Sequence, residues 1–522
     1  MMSTGQVVAR ATIVVMIMLA LSRVLGLGRE AAIAHQFGAT HATDAYLVAY
    51  TIPNIFYAVA GIALATVIVP IFTEYVTQGR REEAWRLCSL ITNALILFTV
   101  VGSLIGMILA PAVVGVLGKG FAPETFRLSV QLMMIMMPSI VFFSLAGLFT
   151  GMLNANNVFG VPAFAPAAMN IVIISGALFL GNYYGVYGLA AGVVGGAAVM
   201  ALIQVPVLRR AGFRYHPELN LRHPEVKRVL YLMLPLTLGL SVSQVYLMID
   251  WVLASGLAEG SIAALNYANK LVQLPQSLFV LAVSTAIFPT LSRHIAEGDP
   301  AEMVRTLRRG VKVVLLLTVP AVTGLVLLRI PIVTLLFERG AFDERATAMT
   351  AAALLFFAIG LVGHCLVMLI SRGFFAMQDM RTPVMVTVGT LTVKGGASLL
   401  LVGPMAHAGL ALATSITAVL NAVLLIYLLQ RRLRGGLITA DLVRFLGGVL
   451  VATGVMGLVV VTVDAALAAF FPAGGLGLLA RVGLTIVTGA IVYFFAGILI
   501  RLDELLNILG YARRTIAGRR PA

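Results

Sequence analysis

The sequence has little charge and almost no cysteine. Only 11% of its 522 residues are charged, while 60% are hydrophobic and the mean hydropathy is +1.01. Because this number of charges is too small to cover the surface of a soluble globular protein, the composition indicates an integral membrane protein. The two cysteines, Cys88 and Cys365, lie in or beside different apolar runs without ligand-like neighbours. They give no basis for a disulfide framework or a metal site.

Acidic residues are scarcer than basic ones, 21 against 36, which gives a formal net charge of +15. A basic excess can indicate nucleic-acid binding, but in helical membrane proteins it follows the positive-inside bias. With a cytoplasmic N terminus, 26 of the 36 lysines and arginines fall on the inner side and 8 on the outer side. We call these the arginine-rich and arginine-poor sides. The bias predicts cytoplasmic termini and no nucleic-acid partner.

The apolar runs are continuous rather than alternating, which predicts helices and not a barrel. At about 20 residues per span, the sequence predicts about 14 spans. Pro53, Pro138 and Pro275 lie inside predicted spans and are expected to kink them. The predicted spans are 7–28, 43–75, 87–110, 126–153, 162–181, 186–208, 229–256, 262–289, 311–335, 347–375, 383–402, 408–430, 443–465 and 476–501.

An internal repeat is visible at a spacing of about 222 residues, which pairs Gly38 with Gly260 and Pro53 with Pro275. Six spans per repeat is an even number, so both copies cross the membrane in the same direction. The predicted fold is therefore an all-α integral membrane protein with two parallel six-helix lobes around a central cavity. The predicted domains are 1–210 (spans 1 to 6), 211–434 (spans 7 to 12) and 435–522 (spans 13 and 14 with a basic tail).

Ionisable residues inside a span are costly and usually face a cavity, a partner or a pathway. Arg23 and Arg29 are either interface anchors or ligands of an anionic substrate in the cavity. Asp250 and Lys394 are either a static salt bridge between spans or an ion-coupling site. The deep or terminal ionisable residues of the two repeats are Arg23, Arg29, Glu30, Asp44, Asp250, Lys270 and Lys394.

No pattern in the sequence indicates an enzyme. The seven histidines are scattered, and neither a metal-ligand spacing nor a nucleophile elbow is present. The sequence therefore predicts a transporter without catalytic residues, bound metal or cofactor.

Several segments resemble the MurJ (MviN) family of the MOP exporter superfamily. They are "SRVLGLGRE" from Ser22, "FGATHATDAY" from Phe37, "IPNIF" from Ile52, "VPIFTEY" from Val69, "VPAFAPAAMNI" from Val161 and "GPMAHAGLALA" from Gly403. The resemblance implies a flippase that moves lipid II, the undecaprenyl-diphosphate-linked peptidoglycan precursor, from the inner to the outer leaflet by alternating access. It also implies a bacterial inner-membrane location, with spans 13 and 14 forming a groove for the lipid tail.

The resemblance further implies a substrate site. The family's cavity arginines of span 1 fall on Arg23 and Arg29, and its span 2 aspartate and asparagine fall on Asp44 and Asn54. A span 8 arginine falls on Lys270. Guanidinium groups suit a diphosphate because they form bidentate, charge-assisted hydrogen bonds.

The chain departs from the family pattern at several positions. A further cavity arginine falls on Tyr57. Some members hold sodium between spans 7, 11 and 12; Asp250 and Thr414 match that site, but Lys394 occupies a ligand position. We expect the ammonium of Lys394 to replace sodium, which makes this chain independent of sodium.

Four alternatives can be weighed from the residues alone. A flippase for another polyprenyl-linked glycan fits the absence of an arginine at position 57, whereas a multidrug antiporter predicts a more acidic cavity. A membrane-bound glycan polymerase needs a long outer loop, and a non-transporting scaffold predicts that Arg23→Ala affects only stability. We expect the chain to act as a monomer among membrane lipids.

Overall fold

The computed structural model describes residues 4–433, 436–471, 474–502 and 504–505. Every regular element in these ranges is a helix, which confirms the predicted all-α class. Helices are expected because each satisfies its backbone hydrogen bonds internally, as the lipid interior requires. The described residues form two compact units, the first ending at Ala263 and including the loop Arg339–Asp343, the second comprising the rest. The domain boundaries at 210 and 434 stay a prediction.

The first unit contains eleven helices and two π-helical segments. The segment Phe56–Gly61 joins α2 to α3, and the segment Gly176–Leu180 joins α7 to α8. The helices are α1 (Thr4–Phe37), α2 (His41–Ile55), α3 (Ile62–Thr77), α4 (Arg81–Leu117), α5 (Pro123–Met136), α6 (Ser139–Ala155), α7 (Gly160–Ser175), α8 (Gly181–Tyr184), α9 (Val186–Leu202), α10 (Val205–Arg210) and α11 (Pro224–Ala254).

The second unit contains the remaining helices and a third π-helical segment, Gln276–Val280. The first residues of α12 still belong to the first unit. The helices are α12 (Ser261–Pro275), α13 (Leu281–Ala296), α14 (Pro300–Leu327), α15 (Arg329–Phe337), α16 (Glu344–Ala376), α17 (Arg381–Arg432), α18 (Ala440–Phe470) and α19 (Gly475–Leu499).

The helices accommodate the predicted spans. Among the described residues, nine helices are long and apolar enough to cross a membrane, and two bent pairs raise the number to eleven. One of the nine, α17, has 52 residues and breaks at Ala406, where φ is 48°, so it provides two spans. With 34 and 31 residues, α1 and α11 also exceed the roughly 20 residues that a span needs. The described residues are therefore roughly consistent with the 14 predicted spans.

Prolines mark the irregular places in these spans. The helices on either side of Pro138 meet at 42°, as predicted, and the span that contains Pro275 bends by 41° between Val280 and Val283. Pro53 and Pro275 each precede a π-helical segment. Because proline removes a backbone N–H, the hydrogen-bond ladder must rearrange nearby. The same arrangement in both halves agrees with the predicted repeat.

The two C-terminal helices are fixed to α14 of the second repeat. The Lys312 ammonium lies 2.9 Å from the Asp441 carboxylate at the start of α18 and 2.7 Å from the Glu504 carboxylate beyond α19. The Tyr493 hydroxyl donates a hydrogen bond of 2.8 Å to the Leu316 carbonyl. Polar contacts of this kind hold helices together where lipid provides no hydrophobic driving force.

Candidate functional site

Arg29 and Glu30 form an ion pair inside the first unit. The Arg29 Nη2 atom lies 2.7 Å from the Glu30 Oε1 atom, and the two side chains are 14% and 5% exposed. Pairing with a carboxylate lowers the cost of placing the guanidinium in a span. The Nε atom of Arg29 is nevertheless buried and has no acceptor among the described residues. Arg29 therefore keeps hydrogen-bonding capacity for a further anion.

Three tyrosines face these arginines. Tyr46 and Tyr50 stack with their ring centroids 5.7 Å apart, and Tyr57 packs against Phe143 at 5.2 Å. The charge of Arg29 acts on all three phenols, and that of Arg23 acts on Tyr57. We call Tyr46, Tyr50 and Tyr57 the tyrosine face. It was missed in the sequence, although spacings of four and seven residues are typical of one helix face.

Arg23 and Asn54 differ from Arg29 in having no ion-pair partner among the described residues. Arg23 is exposed and Asn54 is half-buried. Neither side chain makes a hydrogen bond or an ion pair with any described residue. The structure thus places Arg23 and Arg29 on α1, and the tyrosine face on α2 and the π-helical segment that follows it. Arg23 is exposed, whereas Tyr46 and Tyr50 are buried.

Asp44 has a different environment. Its Oδ2 atom accepts a hydrogen bond of 2.8 Å from the Gly260 N–H, and its Oδ1 atom accepts one of 2.8 Å from the Ala263 N–H. The carboxylate therefore caps the N terminus of α12, where backbone N–H groups lack helical partners. Both oxygens are occupied in this conformation, and the predicted contact of Asp44 with substrate stays a prediction.

The loops around this cap meet backbone to backbone on the arginine-poor side. Gly38 and Gly260, the repeat-related glycines, have φ values of 65° and 85°. A Cβ atom on Gly38 would lie 2.2 Å from the Ala341 carbonyl oxygen, and one on Gly260 would lie 2.1 Å from that of Ala39. Only glycine permits such an approach with these dihedral angles. We call these loops, 38–40, 255–260 and 339–343, the glycine closure.

The remaining predicted site residues are spread over the described helices. Asp250 is buried on α11, in the first unit, and Lys270 is half-buried on α12, in the second. Lys394 is 1% exposed on α17, and the Thr414 hydroxyl donates to the Leu410 carbonyl of the same helix at 3.1 Å. The pairing of Asp250 with Lys394 stays a prediction. The described residues contain no cluster of three metal-ligating side chains.

Comparison with known proteins identifies the family. The family profile described as lipid II flippase MurJ matches residues 33–479. The chain belongs to the MurJ family of lipid II flippases. It is 36% identical to lipid II flippase MurJ of Burkholderia cenocepacia, over 79% of this chain and 82% of that protein. It is 32% identical to the probable lipid II flippase MurJ of Rhizobium tropici, over 96% and 95%.

Solved structures agree with this membership. A structure of lipid II flippase MurJ in an inward closed conformation matches with a TM-score of 0.79 at 26% identity, covering 94% of this chain and 99% of that one. An inward-facing multidrug transporter of the MATE family, from the MOP superfamily, matches with a TM-score of 0.66 at 15% identity, covering 80% and 98%. The latter likeness concerns the fold alone. This MurJ-family chain is a transporter and not an enzyme, as predicted.

The cap on α12 predicts a local effect of Asp44→Asn. An amide offers one acceptor oxygen, and its NH₂ group would face a backbone N–H, so at least one of the two hydrogen bonds is lost. We expect hydrogen exchange of the Gly260 and Ala263 amides to accelerate at least about tenfold, since a hydrogen bond to a charged group contributes roughly 1.5–3 kcal/mol. Exchange mass spectrometry on peptides covering 258–265 measures this rate.

Asp464→Asn is the matched control, because the partly buried carboxylate of Asp464 pairs with Arg481 on α19 and not with backbone N–H groups. It should leave exchange at 258–265 unchanged. Equal exchange in wild type and Asp44→Asn would show that the carboxylate does not hold the start of α12.

Proposed function

We propose that Arg23 and Arg29, with Tyr57, bind the diphosphate of the lipid-linked precursor during its transfer from the inner to the outer leaflet. The observation that carries this proposal is the free hydrogen-bonding capacity of the two arginines. Arg23 has no partner among the described residues, and the Arg29 Nε atom is buried without an acceptor. A diphosphate supplies several acceptor oxygens and a charge that offsets both guanidinium groups.

The proposed site contains Tyr57 at a position where the family has an arginine. Its phenol donates one hydrogen bond and carries no charge, so the positive charge on this part of the chain comes from α1 alone. The substrate contact that the family resemblance implies for Lys270 stays a prediction; its ammonium would act as a point charge without the fork of a guanidinium. Asn54 offers an amide to the head group. Asp44 contributes through the glycine closure, since both of its carboxylate oxygens already accept backbone hydrogen bonds.

Complementation of a bacterial strain depleted of its lipid II flippase tests these roles. At matched expression we expect the wild-type chain to restore growth and Arg23→Ala and Arg29→Ala to fail. Loss of one charge-assisted contact should reduce transport by about tenfold or more. Tyr57→Phe should reduce growth less than either arginine variant. Tyr57→Arg should be tolerated, because it adds a guanidinium beside a diphosphate.

Lys119→Ala is the control for loss of a positive charge, because Lys119 is exposed at the end of α4. It should grow like wild type. Normal growth of the Arg23→Ala strain at matched expression would show that Arg23 does not bind the substrate. Failure of the wild type itself would favour a different polyprenyl-linked glycan as substrate.

We propose that transport does not depend on sodium. Lys394 places a positive charge in the interior of α17, and Thr414 already donates its hydroxyl proton within its helix. The thermal unfolding temperature and the flipping rate should be the same in sodium and potassium chloride at equal ionic strength. A sodium-specific increase that disappears in Asp250→Asn would overturn this proposal.

We also propose that the chain is a monomer in the bacterial inner membrane with both termini in the cytoplasm. The 26 to 8 distribution of basic residues supports the orientation, and two repeats in one chain provide both halves of a transporter. A cysteine introduced at Glu218, in the α10–α11 loop, should react with a membrane-impermeant maleimide only after cells are opened. Labelling of this cysteine in intact spheroplasts would show that the orientation is the opposite one.

A further inference from the structure

A polar cavity of about 510 Å³ lies on the arginine-poor side of the first unit. Its polar lining consists of His41, Glu124, Arg127, Gln131 and Tyr187. Small-molecule sites in proteins commonly have volumes of about 300–1,000 Å³. The Tyr187 hydroxyl donates a hydrogen bond of 2.5 Å to the Gln131 side-chain oxygen, which fixes one wall of the cavity.

Three helices begin at this cavity. His41 is the first residue of α2, Pro123 is the first residue of α5, and Tyr187 is the second residue of α9. The N termini of α5 and α9 have no side-chain cap, whereas the His41 N–H at the start of α2 already donates to the Glu259 carboxylate. Helix N termini carry partial positive charge and N–H groups without helical acceptors, so the uncapped N termini of α5 and α9 favour an anionic group.

The cavity also presents one free charge of each sign. Glu124 and Arg127 lie three residues apart on α5, and neither makes an ion pair or a hydrogen bond with a described residue. Opposite charges at this spacing commonly pair with each other. Here both remain available, which suits a ligand that carries a negative and a positive group.

We propose that this cavity binds a zwitterionic amino-acid or peptide end group. The carboxylate of the ligand contacts Arg127 and the N termini of α5 and α9, and its ammonium contacts Glu124. The proposal rests on the proposed function in one respect, the source of the ligand. We take this source to be the peptide of the translocated head group, which carries a free amino group and a free carboxylate.

The position of the cavity suits a head group that has crossed the membrane. His41 lines the cavity, and both its backbone N–H and its Nδ1 atom contact the Glu259 Oε1 atom, at 2.8 and 2.9 Å. Glu259 directly precedes Gly260, whose N–H binds Asp44. The cavity wall is therefore continuous with the glycine closure through Glu259 and Gly260.

Binding of soluble peptides to the purified full-length chain in lipid nanodiscs tests the proposal. The probe is Nα-acetyl-L-lysyl-D-alanyl-D-alanine, compared with its C-terminal amide and its Nε-acetyl derivative by titration calorimetry. We expect the probe to bind and each derivative, which lacks one charge, to bind at least about threefold more weakly, as for one solvent-accessible ion pair.

Two variants assign the charges. In Arg127→Gln the C-terminal amide should bind as tightly as the probe, while the Nε-acetyl derivative should still bind more weakly. Glu124→Gln should show the reverse pattern. Lys119→Gln should behave like wild type. This reciprocal pattern cannot arise from misfolding. Absence of probe binding to the wild type, or weaker binding of both derivatives than of the probe in both variants, as in the wild type, would overturn the site.

The source of the ligand is tested separately. Complementation by the wild type without probe binding overturns the cavity proposal and leaves the proposed function in place. Probe binding without complementation supports the cavity and overturns the head group as its ligand. Free lysine that binds as tightly as the tripeptide likewise supports a zwitterion site but overturns a peptide source.

Discussion

Lipid offers the polypeptide backbone no hydrogen-bond partner, and several interruptions of helices among the described residues satisfy that constraint. After Pro53 and Pro275, each of which removes a donor from the ladder, a π-helical segment follows instead of an open loop. Where α12 begins, the Asp44 carboxylate takes two of its backbone N–H groups. The irregular backbone of the glycine closure is likewise packed against protein. A transporter needs such interruptions in its helices in order to move, and packing against protein stabilises them.

The same constraint explains which charges occur in the spans. Arg29 is paired with its neighbour in sequence, a local arrangement that needs no other helix to neutralise the charge. Arg23 has no such neighbour and lies open. A charge left unpaired in a chain with so few charges is costly unless a ligand or water compensates it. The proposed contact of Arg23 with the diphosphate of a lipid-linked precursor would compensate this charge.

Some features of the site were visible in the sequence and others were not. Arg23, Arg29 and Asp44 stand out because ionisable residues are rare in apolar runs. The tyrosine face does not stand out, since tyrosine is common in membrane proteins as an interfacial anchor. The partners of Asp44 are backbone N–H groups more than 200 residues away, and no residue type marks them. The Gly38–Gly260 pair was recognisable as a repeat, but its carbonyl neighbours were not.

The sequence by itself determined the all-helical membrane class, the number of spans, their kinking prolines and the family, because hydropathy and motif identity are local properties that survive without coordinates. Only the tertiary structure decided which polar side chains have partners: Asp44 accepts hydrogen bonds from the start of α12, whereas Arg23, Tyr57, Glu124 and Arg127 make no hydrogen bond or ion pair with a described residue. The physical reason is that hydrogen-bond satisfaction depends on atoms brought together from distant parts of the chain, and their distances are set by helix packing.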